Sequence, residues 1–217
     1  MTERTLAVLH TTPVTLPLMR ELIEEALPGW RIINFLDDSI LPMLAQDPDS
    51  MPYVMEKLNA YCTFAQRQGA GGVLSACSSI GEITRQATVD IPVMRVDEAM
   101  MAQAAAVGKP VVLCATAATT LGPSARLLAD KGVTDFERLL ITEAAQRMAA
   151  EGKEAHDRCI AERLLPYLQK GCTVVLCQAS MAAAKAYLPE MLHSAILTSP
   201  RSGVALAAER MHALYGD

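Results

Sequence analysis

Two cysteines stand in the same setting, each closing a short apolar run of strand character and opening a segment of helix character: Gly-Gly-Val-Leu-Ser-Ala-Cys77-Ser-Ser-Ile and Cys172-Thr-Val-Val-Leu-Cys177-Gln-Ala-Ser-Met. In a parallel α/β fold, ligands bind at the C-terminal ends of strands. A cysteine at a helix N-terminus also sits in the field of unsatisfied amide groups, which favours the thiolate. A thiolate can take a proton from a carbon next to a carboxyl or carbonyl group, and a neutral thiol on the other side of that carbon can return one to the opposite face. Cys77 and Cys177 are therefore expected to face one substrate as base and acid and to invert its configuration without a cofactor.

Such a site must also hold the carboxylate and stabilise the enolate-like charge that develops. Helix N-terminal amides and short hydroxyl side chains do both. Thr11, Thr12, Ser78, Ser79, Thr116, Thr119, Thr120 and Ser180 lie in the turns that would meet there, with Gln178 beside the second cysteine. His10 ends the first strand, where it either assists a thiol or substrate or is a structural histidine bonded to backbone. His156 and His193 read as surface or helix-end residues.

The elements that must position these groups repeat. Leu6-Ala-Val-Leu-His10-Thr11-Thr12 lines up with Val111-Val-Leu-Cys114-Ala-Thr116-Ala, each an apolar strand running into a hydroxyl-rich turn. Strands are expected at 6–9, 31–35, 72–76, 93–96, 111–115, 173–176 and 195–198. Helices are expected at 17–26, 53–68, 97–107, 123–131, 143–168 with a possible break at Gly152, 182–187 and 203–215. Ser78 and Ser79 are candidate N-caps for a helix after Cys77. Residues 37–50 read as a loop, either a lid or the cover of a sheet edge, with the second favoured. Alternating strands and helices argue for an α/β protein with parallel sheets. The domain reading is residues 1–97 plus 199–217 as a first lobe with Cys77, and 98–198 as a second with Cys177.

The chain has 217 residues, 51% of them hydrophobic, a formal charge of −5, and neither a basic stripe nor an acidic tail. The expected partner is a small carboxylate or carbonyl substrate, not nucleic acid or a membrane. The N-terminus runs straight into the first strand, and no apolar run approaches the roughly 20 residues of a membrane helix. A cytoplasmic protein is expected. Its six cysteines include no Cys-x-x-Cys pair, so free thiols are expected. Cys172 and Cys177 lie roughly 17 Å apart along a strand and on opposite faces, so they cannot share a metal. No metal site is expected. Cys62, Cys114 and Cys159 read as inert packing or surface residues.

These residues resemble the aspartate/glutamate racemase superfamily over essentially the whole chain. Cys77-Ser78-Ser79 looks like the family's first Cys-Asn-Thr motif, Thr116-Ala-Ala-Thr119 like its Thr-x-x-Thr turn, Cys177-Gln-Ala-Ser180 falls where its second cysteine motif is expected, and Leu197-Thr-Ser-Pro-Arg resembles its closing strand and turn. The resemblance implies two pseudo-symmetric α/β lobes with the active site in the cleft between them. It implies Cys77 and Cys177 as proton-transfer residues, Ser79, Thr116 and Thr119 as carboxylate ligands, no cofactor, and a homodimer or larger homo-oligomer. The expected enzyme is a racemase or epimerase acting on an amino acid, hydantoin or related acid. The alternatives are a maleate-type isomerase or decarboxylase of the same superfamily, or a non-catalytic small-molecule-binding protein. Two departures stand out: the first turn carries His10-Thr11-Thr12 where amino-acid racemases carry an acid, and Gln178 follows the second cysteine where they carry a His or similar helper. Glu82 or Glu143 could receive an ammonium group, although both read as helix-surface residues.

Overall fold

The computed structural model describes residues 4–216. Its contacts separate two compact units, Met1–Val96 with Pro200–Asp217, and Asp97–Ser199. The first holds β1 (Thr5–His10), β2 (Arg31–Leu36), β3 (Gly72–Ser75) and β4 (Val93–Arg95) in the order β2-β1-β3-β4, every pairing parallel. Parallel strands covered on both faces read as unbroken apolar runs, and β1 and β3 are buried throughout. Helices α1 (Thr15–Ala26), α2 (Ile40–Gln46), α3 (Met51–Arg67) and the single turn α4 (Ile83–Gln86) join them. Leu6, Val8, Leu74 and Ala76 turn to one face, packed with Met19 and Ile23 of α1. Ala7, Leu9 and Val73 turn to the other, against Val54, Leu58 and Cys62 of α3.

The second unit repeats the plan with α5 (Glu98–Ala106), β5 (Val111–Ala115), α6 (Ala118–Asp130), β6 (Phe136–Leu140), α7 (Thr142–Glu151), α8 (Lys153–Gln169), β7 (Thr173–Leu176) and β8 (Ile196–Thr198), its sheet ordered β6-β5-β7-β8 and again all parallel. In each unit the strand order reverses between the central pair, β1 with β3 and β5 with β7, so the crevice at their C-terminal ends is the topological switch point.

The last helix, α9 (Ser199–Tyr215), covers the first unit, where Val204, Ala207 and Met211 join the α1 face. Its approach is so close that a Cβ on Gly203 would lie 1.9 Å from the Val96 carbonyl oxygen, so only glycine fits there.

Several elements differ from the sequence reading. Residues 37–50 are not a loop: Ile40 and Leu44 recur at helical spacing and bury against α3, which holds α2 in place despite Pro42, and a 3-10 turn follows at Pro48–Ser50. The strand β6 was not anticipated because it is a sheet edge whose Glu137 and Arg138 face solvent. Helix α6 begins at Ala118, well before Pro123, so Thr119 and Thr120 lie in its first turn. Gly152, at φ +92°, does divide α7 from α8. No full helix follows Cys77: a 3-10 turn at Ser78–Ile80 precedes α4, and neither Ser78 nor Ser79 caps it with a side chain, because Cys77 itself occupies the cap position.

Candidate active site

In the first unit the pairing of β1 with β3 places the turn 10–12 beside the turn 77–79. The Ala76 N–H donates to the Leu9 carbonyl at 2.9 Å, and the side chain one residue on, Cys77, is partly exposed. Burial pushes the Cys77 thiol up, against the pull of the Thr11 and Ser79 hydroxyls and the Ser79 and Ile80 backbone amides, all of which favour the thiolate. The expectation of a thiolate favoured by a helix N-terminus is thus overturned: the donors are present, but desolvation outweighs them, since a 3-10 turn lacks the aligned dipoles of a helix. Of the buried hydroxyls in this turn cluster, Ser78 Oγ has no hydrogen-bond partner among the described residues, and Thr11 Oγ1 has none besides the Cys77 sulfur it faces. Ser79 is buried as well, while Thr12 is partly exposed and accepts the Val14 amide at 3.4 Å.

His10 is held at both ring nitrogens, Nδ1 at 2.8 Å from Thr15 Oγ1 and Nε2 at 3.1 Å from Asn34 Oδ1. Burial lowers its pKa, partly offset by the Asn34 contact, so it is a neutral brace across β1, α1 and β2. Its neighbour is a group that sequence reasoning missed. Asp37, just past β2, takes hydrogen bonds from Ser39 Oγ at 2.5 Å and Tyr61 Oη at 2.7 Å and an ion pair from Lys57 at 2.5 Å. Burial alone would raise its pKa, but these three partners outweigh it and hold the carboxyl at about 2. Arg95, also missed, is buried in β4 and lays its guanidinium against Gly81, where a Cβ would lie 2.5 Å from Cζ. A lone arginine in a three-residue strand carries no sequence signal.

The second unit is built otherwise. The Thr116 N–H and Oγ–H both donate to Gln178 Oε1, at 2.6 and 3.0 Å. Thr120 is buried, while Thr119 and Ser180 are partly exposed. Cys177 has no exposure at all: it packs with Met100, Met101 and Leu128 in the core between the sheet and α5 and α6, and its thiol donates to the Val175 carbonyl at 3.6 Å. Burial pushes it up to about 12, with the Asp97 carboxylate adding to the shift and the Ser124 hydroxyl opposing it.

Register explains the difference between the two thiols. Leu6 pairs with Gly72 and Val111 with Thr173, so β1 superposes on β5 as the sequence repeat implied, and Gly72 corresponds to Thr173. Counting along β3 and β7, Ala76 then corresponds to Cys177, and Cys77 corresponds to Gln178. The hydrogen bonds agree, since Cys177 N–H donates to Cys114 O at 2.9 Å just as Ala76 does to Leu9. So does the backbone: Cys77 at φ −131°, ψ 120° and Gln178 at φ −120°, ψ 134° each lead into a 3-10 turn. The two cysteines are one residue out of step, and a one-residue shift on a strand turns a side chain to the other face. The expected facing pair is therefore corrected, because the second thiol points into its own unit's core.

The remaining candidates are quickly placed. Cys62, Cys114 and Cys159 are buried in packing. Glu143 is partly exposed and paired with Arg163. His156 is not a surface residue: it is buried on α8 with Nδ1 at 2.8 Å from Asp157 Oδ1, a carboxylate that also receives Lys153. His193 contacts the Leu188 carbonyl at 2.9 Å. Among the described residues no helix is long and apolar enough to cross a membrane.

Comparison with known proteins adds an independent line. The family profile described as Asp/Glu/Hydantoin racemase matches residues 8–207. A search of curated protein sequences found no match. Among solved structures, glutamate racemase from Thermus thermophilus shares 16% identity at a TM-score of 0.75 over 99% of this chain and 82% of that one. Aspartate racemase from Picrophilus torridus shares 12% at 0.67 over 99% and 100%. Allantoin racemase from Klebsiella pneumoniae shares 20% at 0.62 over 98% and 89%. At such identities the likeness is one of fold.

Proposed function

Because this chain belongs to the Asp/Glu/Hydantoin racemase family and is thereby an isomerase, we propose that it moves a proton, without a cofactor, at a carbon next to a carboxyl or carbonyl group of a small acid, amino acid or hydantoin, with Cys77 as the proton-transfer group. The observation that carries this is the surroundings of Cys77. It is a partly exposed thiol at the switch point of its sheet, with hydroxyl and amide donors from Thr11, Ser79 and Ile80 gathered around the sulfur.

The chemistry follows from that balance. Burial keeps most of the resting group a thiol near neutral pH, and the fraction present as thiolate is the base that takes the α-proton. The donors stabilise that thiolate, and the thiol formed by the abstraction returns a proton to the carbanion. The unpartnered hydroxyl of Ser78 is suited to hold the carboxylate or carbonyl oxygen beside it. Ser79, Thr12 and His10 support that turn, His10 by bracing it and not by titrating. In the second unit, Thr116, Thr119, Thr120 and Ser180 lie in the turns that follow the two central strands.

The test is proton NMR in D2O of a panel of chiral carboxylic acids, amino acids and hydantoins, with wild type beside Cys77→Ser. Enzyme-dependent wash-out of an α-proton that vanishes in Cys77→Ser supports the proposal. Stoichiometric consumption of the Cys77 thiol by an unsaturated diacid, with no wash-out, would move the assignment to the cis-trans isomerase reading.

A further inference from the structure

We infer that Arg95 is a positioning residue for the Cys77 turn, its buried guanidinium forming a flat support for Gly81 that fixes where Cys77 and the amides around its sulfur stand. This deepens the function proposed above and rests on Cys77 being the proton-transfer group. Every residue involved lies in the first unit.

Direction, burial and a glycine meet at this point. Met94 and Val96 turn to the α1 face and Val93 to the α3 face, so Arg95 alternates to the α3 face, the side on which Cys77, Ile80 and Ile83 pack. Its strand partner is Ser75, whose hydroxyl donates to the Cys77 carbonyl at 3.3 Å. Arg95 is only 6% exposed, and a guanidinium cannot shed its charge, so its burial carries a cost that an apolar side chain there would avoid. Gly81 has φ −58° and ψ −20°, helical angles open to any residue, so its backbone does not call for glycine. The space does: a Cβ there would lie 2.5, 2.6 and 2.8 Å from Arg95 Cζ, Nη2 and Nε. Three such similar distances set that Cβ over the flat face of the guanidinium. With Arg95 enclosed, a methyl group at position 81 must move either the turn or the guanidinium, and both break the contact.

The turn held in this way carries the working parts. Gly81 closes it, donating its N–H to the Ser78 carbonyl at 3.2 Å, and Ile80 donates to the Cys77 carbonyl at 3.3 Å. The Gly81 carbonyl in turn accepts the Thr84 N–H at 3.2 Å and the Thr84 hydroxyl at 2.9 Å, which ties the turn to α4. The groups that favour the Cys77 thiolate are the Thr11 and Ser79 hydroxyls and the Ser79 and Ile80 amides, so three of the four ride on this turn. Arg95 therefore acts on the sulfur through the backbone it supports. A displacement of about 1 Å at a reacting group is enough to cost about 10² in rate.

The experiment compares wild type with Gly81→Ala, Arg95→Lys and the two combined, each checked for folding by thermal unfolding. Arg95→Lys keeps the charge and loses the flat face. One readout is the pH midpoint of Cys77 alkylation by iodoacetamide, located by peptide mass. The other is kcat for α-proton exchange on a substrate that the wild type exchanges. We expect each single variant to raise the midpoint by about one unit, as amide donors leave the sulfur, and to lower kcat by about 10². The combined variant should fall no more than about threefold below either single one, because both substitutions break one contact. A loss of stability alone would leave the midpoint in place. Unchanged midpoints in both single variants, or losses that multiply to about 10⁴ in the combined one, overturn the inference. Wild-type behaviour of Arg95→Lys also overturns it, since charge and not the flat face would then be the cause. If Arg95→Lys does not fold, the midpoint of Gly81→Ala decides alone. Absence of exchange by the wild type with every substrate overturns the function above and leaves the alkylation readout standing.

Discussion

At the strand ends the two units place different groups on matching backbone. His10 corresponds to Ala115 through the pairings of β1 and β5, and Asp37 corresponds to Ile141, each donating its N–H to that same central-strand residue, at 3.0 and 2.8 Å. Cys77 corresponds to Gln178. Only the next residue of the central turn, Thr11 against Thr116, keeps its chemistry. The first unit thus gathers a histidine, a carboxylate and a thiol where the second offers methyl groups, an isoleucine and an amide. A repeated scaffold fixes where side chains project from the sheets but not what they do there, and here only one copy carries a thiol at that position.

The comparison can be broken at several points. The largest expected effect is on chemistry: Cys77→Ser should slow α-proton exchange by about 10²–10⁴, the usual contribution of a positioned acid-base group, with thermal unfolding near that of wild type. Next is the helix that closes the first unit. Alanine is ordinarily the better helix residue by roughly 0.5–1 kcal/mol, yet at Gly203 the Val96 carbonyl leaves no room for a methyl group. Gly203→Ala should therefore cost about 3 kcal/mol or more in denaturant unfolding. The corresponding residue of α5, Met100, is a large buried side chain, so the second unit has no such requirement.

A smaller effect separates Asp37 from its counterpart Ile141. The Asp37 carboxyl titrates at about 2 in the folded protein against an ordinary value of 3.8. A depressed pKa stabilises the fold above the unfolded value and loses that contribution as pH falls through the folded one. Asp37→Asn should cost about 2 kcal/mol at pH 7, and the gap from wild type should close between pH 4 and 2 in unfolding curves. The smallest effect belongs to the anchor of Gln178. Thr116→Val keeps the backbone donor and removes the hydroxyl, so a loss of about 1 kcal/mol is expected by thermal unfolding.

Much of this was legible in the residues. The central strands announced themselves as apolar runs ending in hydroxyl turns, and the pairing of 6–9 with 111–114 as repeats survives in the register. The direction of Cys177 was not legible, because a cysteine in such a run reads the same on either face. Only the hydrogen-bond register decides which face is which. Asp37 was hidden because its partners Ser39, Lys57 and Tyr61 come from separate elements, and α2 because its proline and acids mimic a loop while two buried residues hold it. The edge strand β6 lacked the apolar signal because its charges face water.

The most direct measurement is the α-proton exchange rate of Cys177→Ser beside wild type and Cys77→Ser on one exchanging substrate. A rate within about threefold of wild type for Cys177→Ser, with exchange lost in Cys77→Ser, is what a single catalytic thiol in the first unit predicts. Equal loss in both variants, with both still folded, would contradict it and restore a two-thiol site.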